Sequence, residues 1–171
     1  MDLYRGARLS VEKIGVRMPD GQERDRIVVH PGNAVAVLPL RADMSCYLIR
    51  QFRYAIGEHI LEAPAGTINP GEKPEETAYR ELIEETGFSA GILIPRGFLY
   101  TTPGFTDERI YLFEAHDLTP SCRYQKDEDE DIELMRVAID ELPLMIQDGR
   151  ISDAKTIALV YRCLGPGNVS W

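Results

Sequence analysis

The chain reads as an α/β protein preceded by a small β-ribbon, and three observations lead there. Apolar runs of strand length recur at residues 34–40 (AVAVLPL), 46–50 (CYLIR), 91–100 (GILIPRGFLY) and 108–115 (ERIYLFEA), and such runs suit strands buried in a sheet. Among them lies a stretch with both helix boundaries written into it. Pro74 suits a first helical position, Glu75 and Glu76 favour the positive N-terminal end, and Gly87 suits the left-handed residue past the C-terminal end. Two later segments, 139–147 and 152–164, have helical periodicity.

Taken in order, residues 4–14 and 24–29 read as short strands around Met18-Pro19-Asp20-Gly21, where proline and glycine bring their usual turn geometry. A two-stranded ribbon is marginal in water, so it is expected to dock on the main domain or on a second subunit. His30-Pro31-Gly32-Asn33 is a turn and sets a boundary, giving a ribbon over 1–32 and a main domain over 33–171. Residues 34–40 and 46–50 read as central strands around the turn at 41–43, with 51–54 continuing the second, and 59–65 (HILEAPA) as one further strand. After the helix come strands at 91–100 and 108–115. They are joined by residues 101–107, where Pro103-Gly104 marks a tight turn. The acidic run at 126–131 leads into a strand at 132–137. Asp148-Gly149-Arg150 separates the last two helices, Ser152 or Asp153 can cap the second, and residues 165–168 end it.

Composition narrows the function. With 171 residues and 44% hydrophobic content the chain is about one domain long and has ample material for one core. Its net charge of −9 argues against a nucleic-acid surface, although a phosphate substrate stays open, since a metal can supply positive charge locally. Cys46, Cys122 and Cys163 are odd in number and show no CxxC spacing, so reduced thiols are expected. The absence of an apolar leader and of a membrane-length apolar run leads to the expectation of a soluble, cytoplasmic protein with no membrane partner.

The chemistry concentrates at residues 66–88. Glu81, Glu84 and Glu85 stand at i, i+3 and i+4 and share one helix face. Like charges so placed cost roughly 0.2–0.5 kcal/mol per pair on an open surface, and a hard divalent cation turns that repulsion into attraction. Oxygen donors without nearby His or Cys favour Mg²⁺ or Mn²⁺ over Zn²⁺. The full pattern is Gly66, five residues, Glu72, seven residues, then Arg80-Glu81-Leu82-Ile83-Glu84-Glu85-Thr86-Gly87-Phe88. At average residue frequencies it should arise by chance in well under about one chain in a million. It matches G-x5-E-x7-R-E-U-x-E-E-x-G-U, with U an apolar residue. The chain therefore resembles the Nudix hydrolases, and over residues 34–164 it resembles their ADP-ribose pyrophosphatase subgroup.

The resemblance implies a Nudix fold, a mixed β-sheet sandwiched between helices (α/β/α), and a homodimer in which the N-terminal strands are exchanged or docked. It implies Mg²⁺, with Mn²⁺ an alternative, held by Glu81, Glu84, Glu85, the Ala65 carbonyl and Glu130. Gly66, Glu72 and Arg80 would stand behind these ligands and orient them. Gln51-x-Arg53 and Glu62-Ala63-Pro64-Ala65-Gly66 match subgroup elements, making Arg53 and Glu62 candidate substrate contacts. Pro103 and Gly104 stand where that subgroup carries its marker proline loop. The segment around Glu128, Glu130 and Ile132 is similar to the one supplying late carboxylates, with Glu130 as the extra ligand and Glu128 as general base; these two roles remain exchangeable, and Glu84 would share a metal or hold its water.

The implied reaction is hydrolysis of ADP-ribose to AMP and ribose 5-phosphate. Two other readings stand beside it: a Nudix hydrolase of another nucleoside diphosphate sugar such as GDP-mannose, and a non-catalytic sensor of ADP-ribose. Crowded carboxylates are costly to keep without a cation to hold, which speaks for the enzyme. His30, His59 and His116 match no ligand spacing and read as structural, and residues 66–71 lack the ending of a P-loop.

Overall fold

The computed structural model describes residues 1–124 and 131–165. Its centre is a four-stranded sheet in the order β7 (Ala65–Thr67), β4 (Ala34–Pro39), β9 (Arg109–Pro120), β8 (Phe88–Tyr100). β4 and β9 run parallel while the other pairs are antiparallel, so the sheet is mixed. A second sheet has the order β10 (Ile132–Ala138), β5 (Ser45–Arg53), β6 (Glu58–Glu62), and a third is made of β1 (Asp2–Arg5), β2 (Ser10–Arg17) and β3 (Glu23–His30). Three helices complete the chain: α1 (Pro74–Thr86), α2 (Leu142–Gln147) and α3 (Ala154–Leu164). Among the described residues no helix is long and apolar enough to cross a membrane.

β4 shows why the layers form. It is buried on both faces, and a strand so placed reads as a continuous apolar run. Because side chains alternate across a sheet, Val35 and Val37 pack with Ala78 and Leu82 of α1 and with Phe113 of β9. Ala36 and Leu38 face the other way, into a cluster with Leu159, Val160 and Cys163 of α3 and with Cys46 and Leu48 of β5. The sheet therefore lies between α1 and α3, an α/β/α arrangement. Cys46 and Cys163 are reduced and buried, and burial pushes the Cys46 thiol up to about 12, so both act as core residues.

α1 keeps the boundaries its sequence announces. Pro74 opens it, the Lys73 N–H donates to Glu76 at 2.9 Å, and Gly87 adopts φ 74° while its N–H closes on the Ile83 carbonyl at 2.8 Å. Only glycine takes that conformation without strain, and it lets β8 start at once, at Phe88.

Several boundaries differ from the sequence reading. The strand expected over 4–14 is broken, because the Gly6 N–H bonds the Leu9 carbonyl at 2.9 Å and reverses the chain. The N-terminal unit thus has three strands rather than two. The strand expected over 59–65 is also divided. Pro64 has no N–H, its carbonyl accepts from Val37 at 2.8 Å, and the Ala63 N–H goes to Thr156 Oγ1 at 2.8 Å. The chain therefore leaves β5 at Glu62 and joins β4 at Ala65. β8 and β9 extend beyond 91–100 and 108–115 as a long antiparallel pair. The helix expected over 139–147 begins as a 3₁₀ turn, Ile139–Glu141; of the two expected caps of α3 it is Asp153 that serves, accepting from Thr156 N at 2.9 Å.

The N-terminal sheet docks on the loop between β8 and β9. Val29 N donates to the Phe105 carbonyl at 2.8 Å, and His30 lies 2.7 Å from Asp107 and 3.0 Å from Glu12. The hydrogen bond to Asp107, with that to Glu12, raises the His30 pKa above the ordinary imidazole value.

The packing of α1 is directly testable. Leu82 is fully buried against β4 and β9, so Leu82→Ala should cost about 2–5 kcal/mol in the unfolding free energy measured by urea denaturation.

Candidate active site

The site is built around one side chain of α1. The Arg80 guanidinium lies among carboxylates: Nε donates to Glu72 Oε1 at 3.1 Å and Nη2 to Glu72 Oε2 at 3.2 Å, while Nη1 reaches Glu81 and Glu84, each at 2.7 Å. Nη2 also donates to the Thr67 carbonyl at the end of β7 at 3.3 Å. These are charge-assisted bonds from a rigid donor fork. The hydrogen bond from Arg80 is the main reason the Glu72 carboxyl is held at about 2. Burial works against the charge of Arg80 itself, but the bonds to Glu72 and Glu84 and the charge of Glu81 outweigh it and raise its pKa.

The three acids of the shared face are not equivalent. Glu81 and Glu84 turn to Arg80, whereas Glu85 is only 7% exposed and accepts a hydrogen bond from the Ala65 N–H at 2.8 Å. Gly66 follows directly, and a Cβ there would occupy the place of the Glu81 carboxylate. The spacing from Gly66 to Glu81 thus lays the Glu81 carboxylate against the β7 backbone, and any side chain at 66 would displace it.

Beside the acids opens a pocket of about 680 Å³, walled in part by Arg53, Ala65, Gly66, Thr102, Glu108 and Lys155. Arg53 Nε and Nη2 each donate to Glu62 at 2.6 Å. The Glu62 carboxylate is buried and is also paired with Lys155, whose Nζ lies 3.0 Å from Asp153. Burial pushes Glu62 upward, but Arg53 and Lys155 prevail and hold it below the usual carboxylate value. The bond to Glu62 likewise raises Arg53.

Glu72, Glu81 and Glu84 therefore gather at Arg80, with Glu81 also against Gly66 and Glu85 on Ala65, while Arg53 stands on the adjoining pocket wall with the buried Glu62 behind it. Pro103 and Gly104 sit in a turn closed by Phe105 and Thr106 N–H groups on the Thr102 carbonyl; Thr101 and Thr102 line the pocket, while the two residues themselves are exposed. Glu128 and Glu130 lie outside the described residues.

Sequence reasoning gave no role to Lys155. A signal was present: it is the second residue of α3, where the helix dipole disfavours a cation, so a lysine there needs acidic partners.

The donors fit a hard divalent cation in kind, since Glu81, Glu84 and Glu85 offer only carboxylate oxygen, and Gly66 lets Glu81 lie against the backbone beside Ala65. Among the described residues no three such side chains converge on a single point; Glu81 and Glu84 both bond Arg80.

Comparison with known proteins agrees with this geometry. The NUDIX domain family matches residues 30–160. The chain is 38% identical over 156 residues to an ADP-ribose pyrophosphatase of Bacillus subtilis (strain 168), covering 90% of this chain and 84% of the relative. It is 36% identical over 160 residues to a methanol dehydrogenase activator of Bacillus methanolicus, covering 92% and 86%. A GDP-mannose pyrophosphatase of Pectobacterium atrosepticum is 37% identical over 140 residues, covering 77% and 72%. A crystal structure of an ADP compounds hydrolase superposes with a TM-score of 0.84 at 26% identity, covering 99% of this chain and 94% of that one. The chain belongs to the Nudix family. It is a Nudix hydrolase with the fold of that family.

The Arg80–Glu72 pair leads to a pH prediction. A depressed carboxylate contributes stability that is complete above its unfolded pKa, 4.5, and is lost as pH falls toward about 2. Glu72→Gln should therefore be less stable than the parent protein at pH 7, with the gap constant down to about pH 5 and closing below 4.5, as followed by urea denaturation at a series of pH values.

Proposed function

We propose that the protein hydrolyses the pyrophosphate bond of ADP-ribose, giving AMP and ribose 5-phosphate, with a divalent cation, Mg²⁺ or Mn²⁺, as cofactor. The observation that carries this reading is the acid cluster gathered by Arg80 beside a pocket whose lining includes Arg53 and Lys155. Its substrate class follows the B. subtilis relative.

A diphosphate ester is anionic and repels an incoming nucleophile, so its charge must be offset before water can approach. Glu81, Glu84, Glu85, the Ala65 carbonyl and Glu130 would hold the cation. When bound, it supplies Lewis-acid charge to the phosphoryl oxygens and acidifies water. Arg53 offers its guanidinium to the diphosphate. Arg80 and Glu72 keep Glu81 and Glu84 in register, a role of the kind that orienting partners play at metal sites. Glu128 takes the proton as the water oxygen bonds to phosphorus and the bridging P–O bond breaks. Such a base step contributes about 10² to 10⁴ in rate.

A homodimer is part of the proposal. The N-terminal unit exposes Leu3, Tyr4, Leu9 and Ile27, apolar surface that a partner could cover. A protein that sediments as a monomer across micromolar concentrations would remove this element.

A second substrate reading, hydrolysis of GDP-mannose, has support in the Pectobacterium relative. The test is kcat/KM for purified protein with Mg²⁺ on a panel of nucleotide sugars. ADP-ribose should rank first; a higher value for GDP-mannose would transfer the assignment to it. At saturating Mg²⁺, Glu85→Gln should leave the fold intact, by circular dichroism, and lower turnover about hundredfold or more. Near-normal turnover would remove Glu85 from the ligand set.

A further inference from the structure

The wall of the pocket holds more charge than substrate contact alone requires. Glu62 is a buried carboxylate with two cationic partners of different character. Arg53 spans both its oxygens and its side chain is 40% exposed. Lys155 pairs with one of those oxygens, is 13% exposed, and is braced from behind by Asp153 at 3.0 Å. Asp153 is itself fixed as the cap of α3, accepting from Thr156 N at 2.9 Å and Thr156 Oγ1 at 2.6 Å. The Thr156 hydroxyl in turn accepts from Ala63 N, next to Glu62. Lys155 therefore sits in a frame anchored at both ends, while Arg53 occupies the accessible side.

Charge decides what this does. If Arg53 were the only counter-ion of Glu62, its positive charge would be cancelled toward an anionic substrate, and moving it toward a phosphate would leave a buried carboxylate alone, at considerable cost. A second, immobile cation removes the latter difficulty: it keeps Glu62 paired when Arg53 turns to a phosphate, even though Asp153 shares that cation.

We infer that Lys155 is a positioning residue for substrate binding: as the permanent counter-ion of Glu62, it frees the charge of Arg53 for the substrate's diphosphate. The inference rests on the proposed diphosphate substrate and deepens it by assigning how Arg53 is kept available to it. It concerns binding rather than the bond-breaking step, so its loss is read in KM and not in kcat.

The test uses the best substrate of the nucleotide-sugar panel and, independently of turnover, calorimetry with inorganic pyrophosphate in excess Mg²⁺. Lys155→Met should raise KM and the pyrophosphate Kd about tenfold or more while kcat stays within about threefold, and Lys155→Arg should bring KM back to within about threefold of the parent value. In an Arg53→Met background, Lys155→Met should change KM by less than about twofold, since coupled residues are not additive. An unchanged KM and Kd in Lys155→Met, full additivity with Arg53→Met, or failure of Lys155→Arg to restore binding would each overturn the inference. Should Lys155→Met fail to fold, Lys155→Gln is judged by the same criteria. If the parent protein hydrolyses none of the nucleotide sugars, the reaction proposed above fails, and the pyrophosphate measurement still decides the role of Lys155; a parent protein that does not bind pyrophosphate overturns it.

Discussion

Everything at the site depends on one guanidinium holding three carboxylates. Glu81 and Glu84 occupy one helix face with Glu85, and Glu72 reaches toward them from the preceding loop; without a cation among them they would repel. Arg80 resolves the conflict by giving Nη1 to two acids and the rest of its fork to Glu72 and the Thr67 carbonyl. A lysine could not span these partners, being a point charge rather than a planar fork. Because Arg80 contacts both the loop and the end of β7, the same side chain that orients the acids also fastens α1 to the sheet.

The fold supplies the second half of the arrangement through the division of the chain at Ala63 and Pro64. Proline's missing N–H ends pairing with β5, and the next residue begins pairing with β4. That transfer sets Glu62 behind the pocket wall and Ala65 and Gly66 against α1 within four residues of each other. α3 is tied to the same point by Thr156, so the acidic side and the cationic side of the pocket are referred to a single short stretch of backbone. Such a common reference suits a site whose groups must keep their distances.

What could be read from the sequence was what is local. α1 follows from Pro74, the acids of its first turn and Gly87, and the shared face of Glu81, Glu84 and Glu85 follows from spacing along one helix, whereas the turning of Glu81 and Glu84 to Arg80 together with Glu72 of the preceding loop does not. β4 announces its two-sided burial by an unbroken apolar run. The division of the 59–65 segment was not legible, because it depends on which strand Ala65 meets, and that is settled by tertiary pairing. The break near Gly6 was hidden in the same way, as strand-forming residues on both sides made it look continuous. Lys155 escaped because its partner Glu62 is remote in sequence. Only its unfavourable place at a helix start hinted at an acid elsewhere. Glu128 and Glu130 rest on resemblance, since they lie outside the described residues.

The parallel pairing of β4 with β9 also bears on how the protein reaches its native state. Ala34 must find Ile110, and Pro39 must find Ala115, with β5, β6, β7, the acidic helix and β8 lying between. Loop closure of that span is entropically slow, and proteins dominated by such non-local contacts fold slowly. During synthesis the helix can coil early, yet β4 lacks its central neighbour until β9 has left the ribosome. Until then β4 has β7, β5 and α1 against it but lacks β9 and α3, so part of its apolar surface stays uncovered late into translation.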